Sequence, residues 1–227
     1  MTIIKQEDLI QSIADALQFI SYYHPTDFIR AMRGAWEREE SPAAKGALTQ
    51  VLVNSRMCAL GKRPICQDTG IVNVLMSVGM DVQWDSELSL DDMINEGVRR
   101  GYTHPDNVLR GSVLVEPDGA RANTKDNTPA VIHTKIVPGD KLEIEVAAKG
   151  GGSEAKAKFA MLNPSDSVVD WILSVVPTMG AGWCPPGILG VGIGGTPEKA
   201  MLMAKESLME TLDMHELQER GASNHLE

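Results

Sequence analysis

Apolar residues in the first sixty positions recur every three or four residues, the spacing that places them on one face of an α-helix. The first stretch shows this spacing at Leu9, Ile13, Leu17 and Ile20. A second helix is predicted after Pro25, and a third from Ser41-Pro42, where a cap residue precedes a proline, to about residue 61. The chain therefore opens with a helical lobe.

The pattern changes to β-structure after a turn at residues 68–70. Residues 71–82 are rich in β-branched and apolar side chains, which predicts a strand. Residues 89–101 return to the helical spacing, and Ser89 or Asp91 can cap the start of that helix.

The next two predicted strands, 130–137 and 141–148, flank the turn Pro138-Gly139-Asp140 and are expected to pair as a hairpin. In the second of them, Leu142, Ile144 and Val146 alternate with glutamates, so one face should be exposed to water.

The rest of the chain mixes short elements without a regular strand–helix–strand alternation. They are a glycine run at 150–152, a helix at 166–176, a turn at 182–187, a strand at 188–193, a helix at 196–212 and a polar tail at 215–227. We predict an α+β fold, with the helical N-terminal lobe beside an antiparallel or mixed sheet covered by helices. The length favours one domain over 1–227.

Composition narrows the possible partners. The chain is 43% hydrophobic and 23% charged, which is typical of a globular protein. Its net charge of −10 argues against nucleic acid and anionic membrane surfaces as partners. The first eighteen residues carry Glu7, Asp8 and Asp15 and no long apolar run, so we expect neither a signal peptide nor a membrane span, and a cytoplasmic protein.

Candidate chemistry begins at residues 63–70, where Cys66, Gln67 and Asp68 lie between the end of a helix and the start of a strand. Loops at such junctions commonly present functional groups. Asp-Thr-Gly is also ordinary turn chemistry. An aspartic protease is disfavoured because a second such motif is absent from the sequence.

A second loop, at residues 180–187, holds Cys184 between glycines and prolines. Glycines leave backbone amides exposed, and amides directed at sulfur tune iron–sulfur clusters. The alternative is a structural cysteine in a tight turn. Three cysteines, Cys58, Cys66 and Cys184, are an odd number that disfavours a disulfide framework, and two such loops favour a shared site.

Residues 148–156 could bind a carboxylate through the bare amides of a glycine run and a nearby lysine. A flexible strand exit is the alternative, and the Walker and Rossmann spacings are absent. Arg110 could hold a carboxylate through its planar fork, or be a surface arginine. His104 and His133 are more typical of structural histidines.

Five separated motifs, taken in order, resemble class I fumarate hydratases. They are RPICQDTG at 63–70, DNTPA at 126–130, KGGGSE at 149–154, MLNPSD at 161–166 and GWCPPG at 182–187. The resemblance extends over nearly the whole chain.

This resemblance implies a [4Fe-4S] cluster held by three cysteines, with one iron open to substrate. It makes Cys66 and Cys184 cluster ligands and implies reversible hydration of fumarate to (S)-malate by a homodimer. The residues that it places against the dicarboxylate are Gln67, Asp68, Arg110, Gly152 and Lys156.

Several functional residues of the family have no counterpart in this sequence. The third cysteine, the catalytic base and further substrate contacts belong to later portions of the family's chain. We therefore expect 1–227 to be the N-terminal, alpha-type region, inactive without a C-terminal domain or beta subunit. Cys58 as the third ligand is disfavoured because the family motif has no ligand there. Ala155 replaces a polar residue of many relatives and leaves one substrate contact open.

Two alternatives to a fumarase fit the same sequence. One is another dicarboxylate hydro-lyase on the same scaffold, such as an L-tartrate dehydratase subunit. The other is a non-catalytic assembly module whose glycines and cysteines are structural. Substrate profiles separate the first from a fumarase, and metal content separates the second.

Overall fold

The chain forms two compact units in a computed structural model that describes residues 2–184, 187–211 and 213–223. The first unit comprises Met1–Pro25 and Met32–Gly151, and the second comprises Thr26–Ala31 and Gly152–Glu227. Helices and a mixed sheet are both present, so the predicted α+β class is confirmed.

The described residues contain eight α-helices and seven strands. The helices are α1 (Gln6–Tyr22), α2 (Thr26–Arg38), α3 (Pro42–Gly61), α4 (Leu90–Tyr102), α5 (Gly151–Glu154), α6 (Val168–Val175), α7 (Pro197–Ser207) and α8 (Met214–Arg220). The strands are β1 (Ile3–Lys5), β2 (Ile71–Gly79), β3 (Gln83–Asp85), β4 (Leu114–Val115), β5 (Ala122–Asn123), β6 (Val131–Val137) and β7 (Leu142–Lys149). Within the described ranges, none of the helices has the length and apolar character needed to cross a membrane.

Two of the predicted helix starts, at Ser41 and Ser89, are confirmed by side-chain caps. The Ser41 hydroxyl accepts a hydrogen bond from the Ala44 amide, with Pro42 in the first turn of α3. The Ser89 hydroxyl accepts from the Asp92 amide at 3.1 Å and begins α4. These side chains satisfy backbone donors that the first helical turn leaves unpaired.

The main sheet has the order β6-β2-β7, with β2 parallel to β6 and antiparallel to β7. The predicted hairpin of β6 and β7 is therefore wrong, because β2 lies between them. The connecting turn passes around the end of β2, where the Gly79 amide donates to the Lys141 carbonyl at 2.8 Å and the Asp81 amide donates to the Gly139 carbonyl at 2.9 Å. A Cβ at Gly79 would lie 2.3 Å from the Gly139 carbonyl oxygen, so this crossing depends on a glycine.

The core lies between one face of this sheet and helices α1 and α4. Val74 of β2 is opposite Ile132 of β6 and Val146 of β7, which makes a continuous apolar row across the three strands. The fully buried side chains packed there include Ile10, Ile13, Leu17, Val72, Val74, Met93, Ile94, Val98 and Tyr102. β7 has its glutamates exposed, so its predicted wet face is confirmed.

The second unit contains α6, α7 and α8 joined by irregular segments. The predicted strand at 188–193 is wrong: no ladder forms there, since the described residues provide no partner strand. This segment instead passes close to α7, where a Cβ at Gly192 would lie 1.9 Å from the Ala200 carbonyl oxygen. On α7, Lys205 Nζ lies 2.6 Å from Glu154 Oε1 of α5.

The end of the chain also differs from the prediction. α7 ends at Ser207 rather than at 212, and residues 214–220 of the predicted polar tail form α8, capped by the Asp213 carboxylate. An aspartate before a polar but helix-compatible run is a cap signal that the prediction did not use. Pro185 and Pro186 of the predicted turn, Leu212, and residues 224–227 of the tail lie outside the described residues.

Candidate functional site

Cys66 and Gln67 lie on an exposed loop between α3 and β2. The loop is fixed at its start because the Ile65 amide donates to the Ser21 carbonyl at 2.8 Å and Asn54 Nδ2 donates to the Ile65 carbonyl at 2.9 Å. The Cys66 thiol is free and donates to Gln67 Oε1 at 3.4 Å. The backbone of this loop is therefore held in place, and the loop presents the Cys66 thiol and the Gln67 amide to solvent.

The loop is fixed again where it enters β2. The Gly70 amide donates to Asp68 Oδ1 at 3.2 Å, and the Tyr102 hydroxyl donates to the Thr69 carbonyl at 2.6 Å. Gly70 has φ of +84°, and a Cβ there would lie 2.6 Å from the Ala148 carbonyl carbon, so the approach to β7 requires glycine. Burial raises the pKa of Tyr102 to about 12, so the phenol stays a neutral donor.

Arg110 lies in the loop after α4, beside the Cys66 loop. Its neighbour Leu109 is buried and donates its amide to the Tyr102 carbonyl at 2.9 Å. The Thr69 hydroxyl donates to the Arg110 carbonyl. The exposed Arg110 side chain has no hydrogen bond or ion pair with any described residue. The structure therefore brings the Arg110 backbone to the Cys66–Asp68 loop and leaves the guanidinium open to a ligand.

Gly152, Lys156 and Cys184 lie in the second unit. The glycine run begins helix α5 instead of a flexible strand exit. A Cβ at Gly152 would lie 2.6 Å from the Gly182 carbonyl oxygen, and a Cβ at Gly182 would lie 3.1 Å from Lys156 Cε. Cys184 follows two residues later, is exposed, and has φ of +59°. These three predicted residues thus share one neighbourhood inside their own unit.

A cavity of about 230 Å³ in the first unit adjoins the Cys66 loop. Its lining includes Leu17, Ile20, His24, Cys66, Asp68 and Tyr102. The sequence analysis did not select His24 or Tyr102, because neither belongs to a motif. The only pattern that includes Tyr102 is the helical spacing typical of a buried helix position. The His24 Nδ1 lies 3.0 Å from Ser55 Oγ, and burial lowers the pKa of its ring. His104 and His133, the histidines considered in the sequence, do not line this cavity.

The cysteines fit part of an iron–sulfur ligand set. Cys66 and Cys184 are free, exposed thiols, and the Asp68 amide points at Cys66 Sγ at 3.4 Å. Cys58 is buried, and its thiol donates to the Pro64 carbonyl at 3.5 Å. No three metal-binding side chains gather into a site within the described part of the chain. A cubane with one open iron takes three thiolates, and the exposed thiols offer two.

The chain belongs to the fumarate hydratase (Fumerase) family, a hydro-lyase family whose sequence model matches residues 10–227. Its relatives include a "Putative L(+)-tartrate dehydratase subunit alpha" of Methanocaldococcus jannaschii, 28% identical over 207 residues that cover 88% of this chain and 72% of that protein. Proteins named "L(+)-tartrate dehydratase subunit alpha" from Escherichia coli and Shigella sonnei are 24% identical over 207 residues, covering 90% of this chain and 68% of each relative. The resemblance predicted from five motifs is confirmed at the level of the family.

Proposed function

We propose that this chain is the alpha-type part of a [4Fe-4S] hydro-lyase that reversibly hydrates fumarate to (S)-malate. The observation that carries the proposal is the fixed loop of residues 66–70, which presents Cys66 and Gln67 beside the open Arg110. Membership of the fumarate hydratase family supports the same reaction class.

In this proposal Cys66 and Cys184 are thiolate ligands of the cluster. When bound, the cluster supplies a Lewis acid that polarises a hydroxyl and a carboxylate of the substrate. The Asp68 amide at Cys66 Sγ stabilises negative charge on that sulfur. Cys58 contributes packing rather than ligation, because its thiol is buried and hydrogen-bonded.

The other proposed residues bind the dicarboxylate. The chain carries a net charge of −10, so two carboxylates need local positive partners. Arg110 offers a planar fork that binds a carboxylate through two hydrogen bonds, and Lys156 offers a second cation. Gly152 exposes a backbone amide without a side chain to shield it. Gln67 donates a hydrogen bond to a substrate carboxylate, and the Asp68 carboxylate accepts one from the hydroxyl of malate or from the water that is added.

Hydration adds the oxygen of water to one alkene carbon and a proton to its neighbour. We assign the base that handles the carbon-bound proton, and the third cysteine, to polypeptide outside the described residues, either a C-terminal domain or a beta subunit. The relatives named as alpha subunits support such a partner. We further propose a homodimer that works in the cytoplasm.

L(+)-tartrate dehydration is the second candidate, and the printed names of the relatives favour it. It uses the same class of substrate, a four-carbon dicarboxylate, and also makes or breaks a carbon–oxygen bond next to a carbon that carries a carboxylate. The two reactions are separated by rates on fumarate, (S)-malate and L(+)-tartrate measured with one enzyme preparation.

Iron and sulfide content after anaerobic reconstitution of the complete enzyme tests the ligand assignment. We expect about four irons and four sulfides per chain, with loss of the cluster in Cys66→Ser and in Cys184→Ser. Cys58→Ser is the matched control and should keep its iron. Full iron content in both of the first two variants would refute the assignment, and an iron-free wild type would favour a non-catalytic assembly module.

A further inference from the structure

Asn127 joins two loops that carry proposed substrate contacts. Its side chain is fully buried, at 0% exposure. Its Nδ2 donates to the Gly70 carbonyl at 2.9 Å, and its Oδ1 accepts from the amides of Ser112 at 2.6 Å and Val113 at 3.2 Å. One amide group therefore connects the end of the Cys66–Gly70 loop to the residues that follow Arg110.

The chemistry of these three bonds is specific to an asparagine. The group must donate one hydrogen bond and accept two, which a primary amide can do and a carboxylate cannot. Asn127 also has φ of +62°, a left-handed conformation that asparagine tolerates better than most residues. An aspartate would place a buried charge against the Gly70 carbonyl, which costs free energy.

A second set of bonds joins the Cys66–Gly70 loop to the end of α4 and to the loop that follows it. The Thr69 hydroxyl donates to the Arg110 carbonyl, and the Tyr102 hydroxyl donates to the Thr69 carbonyl at 2.6 Å. The backbones that present Asp68 and Arg110 therefore form one hydrogen-bonded structure, and Asn127 is the buried side chain that bonds to both. Small displacements of groups that bind a substrate lower catalytic efficiency strongly.

We propose that Asn127 is a positioning residue that sets the spacing of Asp68 and Arg110 for a four-carbon dicarboxylate. The inference rests on the proposed function and goes beyond it by assigning a role to a buried residue that does not touch the substrate. Asn127 acts on the reaction only through the two loops it connects.

Two substitutions test the role by different routes. Asn127→Asp keeps both acceptor bonds and loses the donor, whereas Asn127→Gly removes all three bonds and suits the positive φ. For both we expect KM for fumarate or L(+)-tartrate to rise about ten- to a hundredfold. Amide hydrogen exchange at Ser112 and Val113 should accelerate in Asn127→Gly, which reports the lost bonds independently of activity.

Asn123→Asp is the matched control. Asn123 is exposed, and its side chain donates to the Gly111 carbonyl at 2.8 Å and accepts from the Lys125 amide at 2.7 Å, so neither bond reaches the Asp68 loop. The control therefore makes the same chemical change without breaking a bond to the Asp68 loop. Its KM should stay within about twofold of wild type, the range of a surface substitution.

A double-mutant cycle separates positioning from general destabilisation. In an Arg110→Ala background, Asn127→Gly should raise KM by much less than it does in the wild type, because its main effect acts through Arg110. Full additivity, an unchanged KM in both Asn127 variants of an active enzyme, or failure of both to fold would overturn the positioning role alone. A wild-type enzyme inactive on both substrates would overturn the proposed function and this role with it.

Discussion

The two units differ in how they bury apolar side chains. In the first unit, β2, α1 and α4 share a core of fully buried residues. In the second unit no described residue is fully buried, and Met161 and Leu173 are 78% and 65% exposed. Apolar burial is the main favourable contribution to folding, so the first unit has its own source of stability.

The largest expected effect tests this comparison with one kind of side chain. Ile94 on α4 is 0% exposed, whereas Ile188 in the second unit is 48% exposed. We expect Ile94→Ala to lower the free energy of unfolding by about 2–5 kcal/mol, through lost burial and a cavity. Ile188→Ala should cost less than about 1 kcal/mol. Urea unfolding of both variants gives the two values.

Equal losses for Ile94→Ala and Ile188→Ala would break the comparison. They would mean that Ile188 is buried in solution, for instance by a second copy of the chain. Repeating the measurement over a range of protein concentrations identifies that case, because stability then depends on association.

The next largest effect on stability is expected from a pair of glycine substitutions. Gly192→Ala would bring a Cβ to 1.9 Å from the Ala200 carbonyl oxygen, so the segment must move away from α7. We expect a loss of about 1–3 kcal/mol, typical of overpacking, seen as faster hydrogen exchange along α7. Gly46→Ala is the control, since nothing lies within 4 Å of a Cβ on that exposed position of α3. It should stabilise α3 by about 0.5–1 kcal/mol.

The two glycine substitutions should change the free energy of unfolding in opposite directions, and this difference in sign is the test. A neutral Gly192→Ala would contradict the close approach of residues 190–192 to α7. Acceleration of exchange in β2 or α4 would show that the effect is not confined to the second unit.

The comparison also explains which parts of the fold were predictable. Helices α1, α3 and α4 carry apolar periodicity, α3 and α4 also begin at cap residues, and these signals are local. The pairing of β6 with β2 is not local, because it joins residues 131–137 to 73–79, and β3, α4, β4 and β5 lie between them in the chain. Alternation identifies a strand but not its partner, so the nearest strands were paired wrongly.

The candidate site shows the same division. Cys66, Gln67, Asp68 and Arg110 were chosen from motifs and from residue chemistry, and their loops meet in the first unit. The residues that hold these loops together gave weaker signals. Asn127 belonged to a motif without an evident role, and its three bonds reach positions 14, 15 and 57 residues away. Such contacts depend on the tertiary fold and leave no periodic trace in the sequence.

The smallest expected effect is a pH dependence of stability that arises in the first unit. Burial lowers the pKa of His24 below 6.5. Between the two pKa values the ring is therefore mostly neutral in the folded chain and mostly protonated in the unfolded chain. The resulting stability is complete above about pH 6.5 and is lost as pH falls through the folded pKa. Since the ring is only half-buried, we expect less than about 1 kcal/mol between pH 7.5 and pH 5.5.

His24→Gln should flatten this part of the stability profile, because glutamine keeps a hydrogen-bonding group near Ser55 Oγ and does not titrate. His215→Gln, at an exposed position of α8, is the control and should leave the profile as it is in the wild type. Urea midpoints at the two pH values provide the measurement. A profile that His215→Gln flattens and His24→Gln does not would place the pH-sensitive packing in the second unit and reverse the comparison.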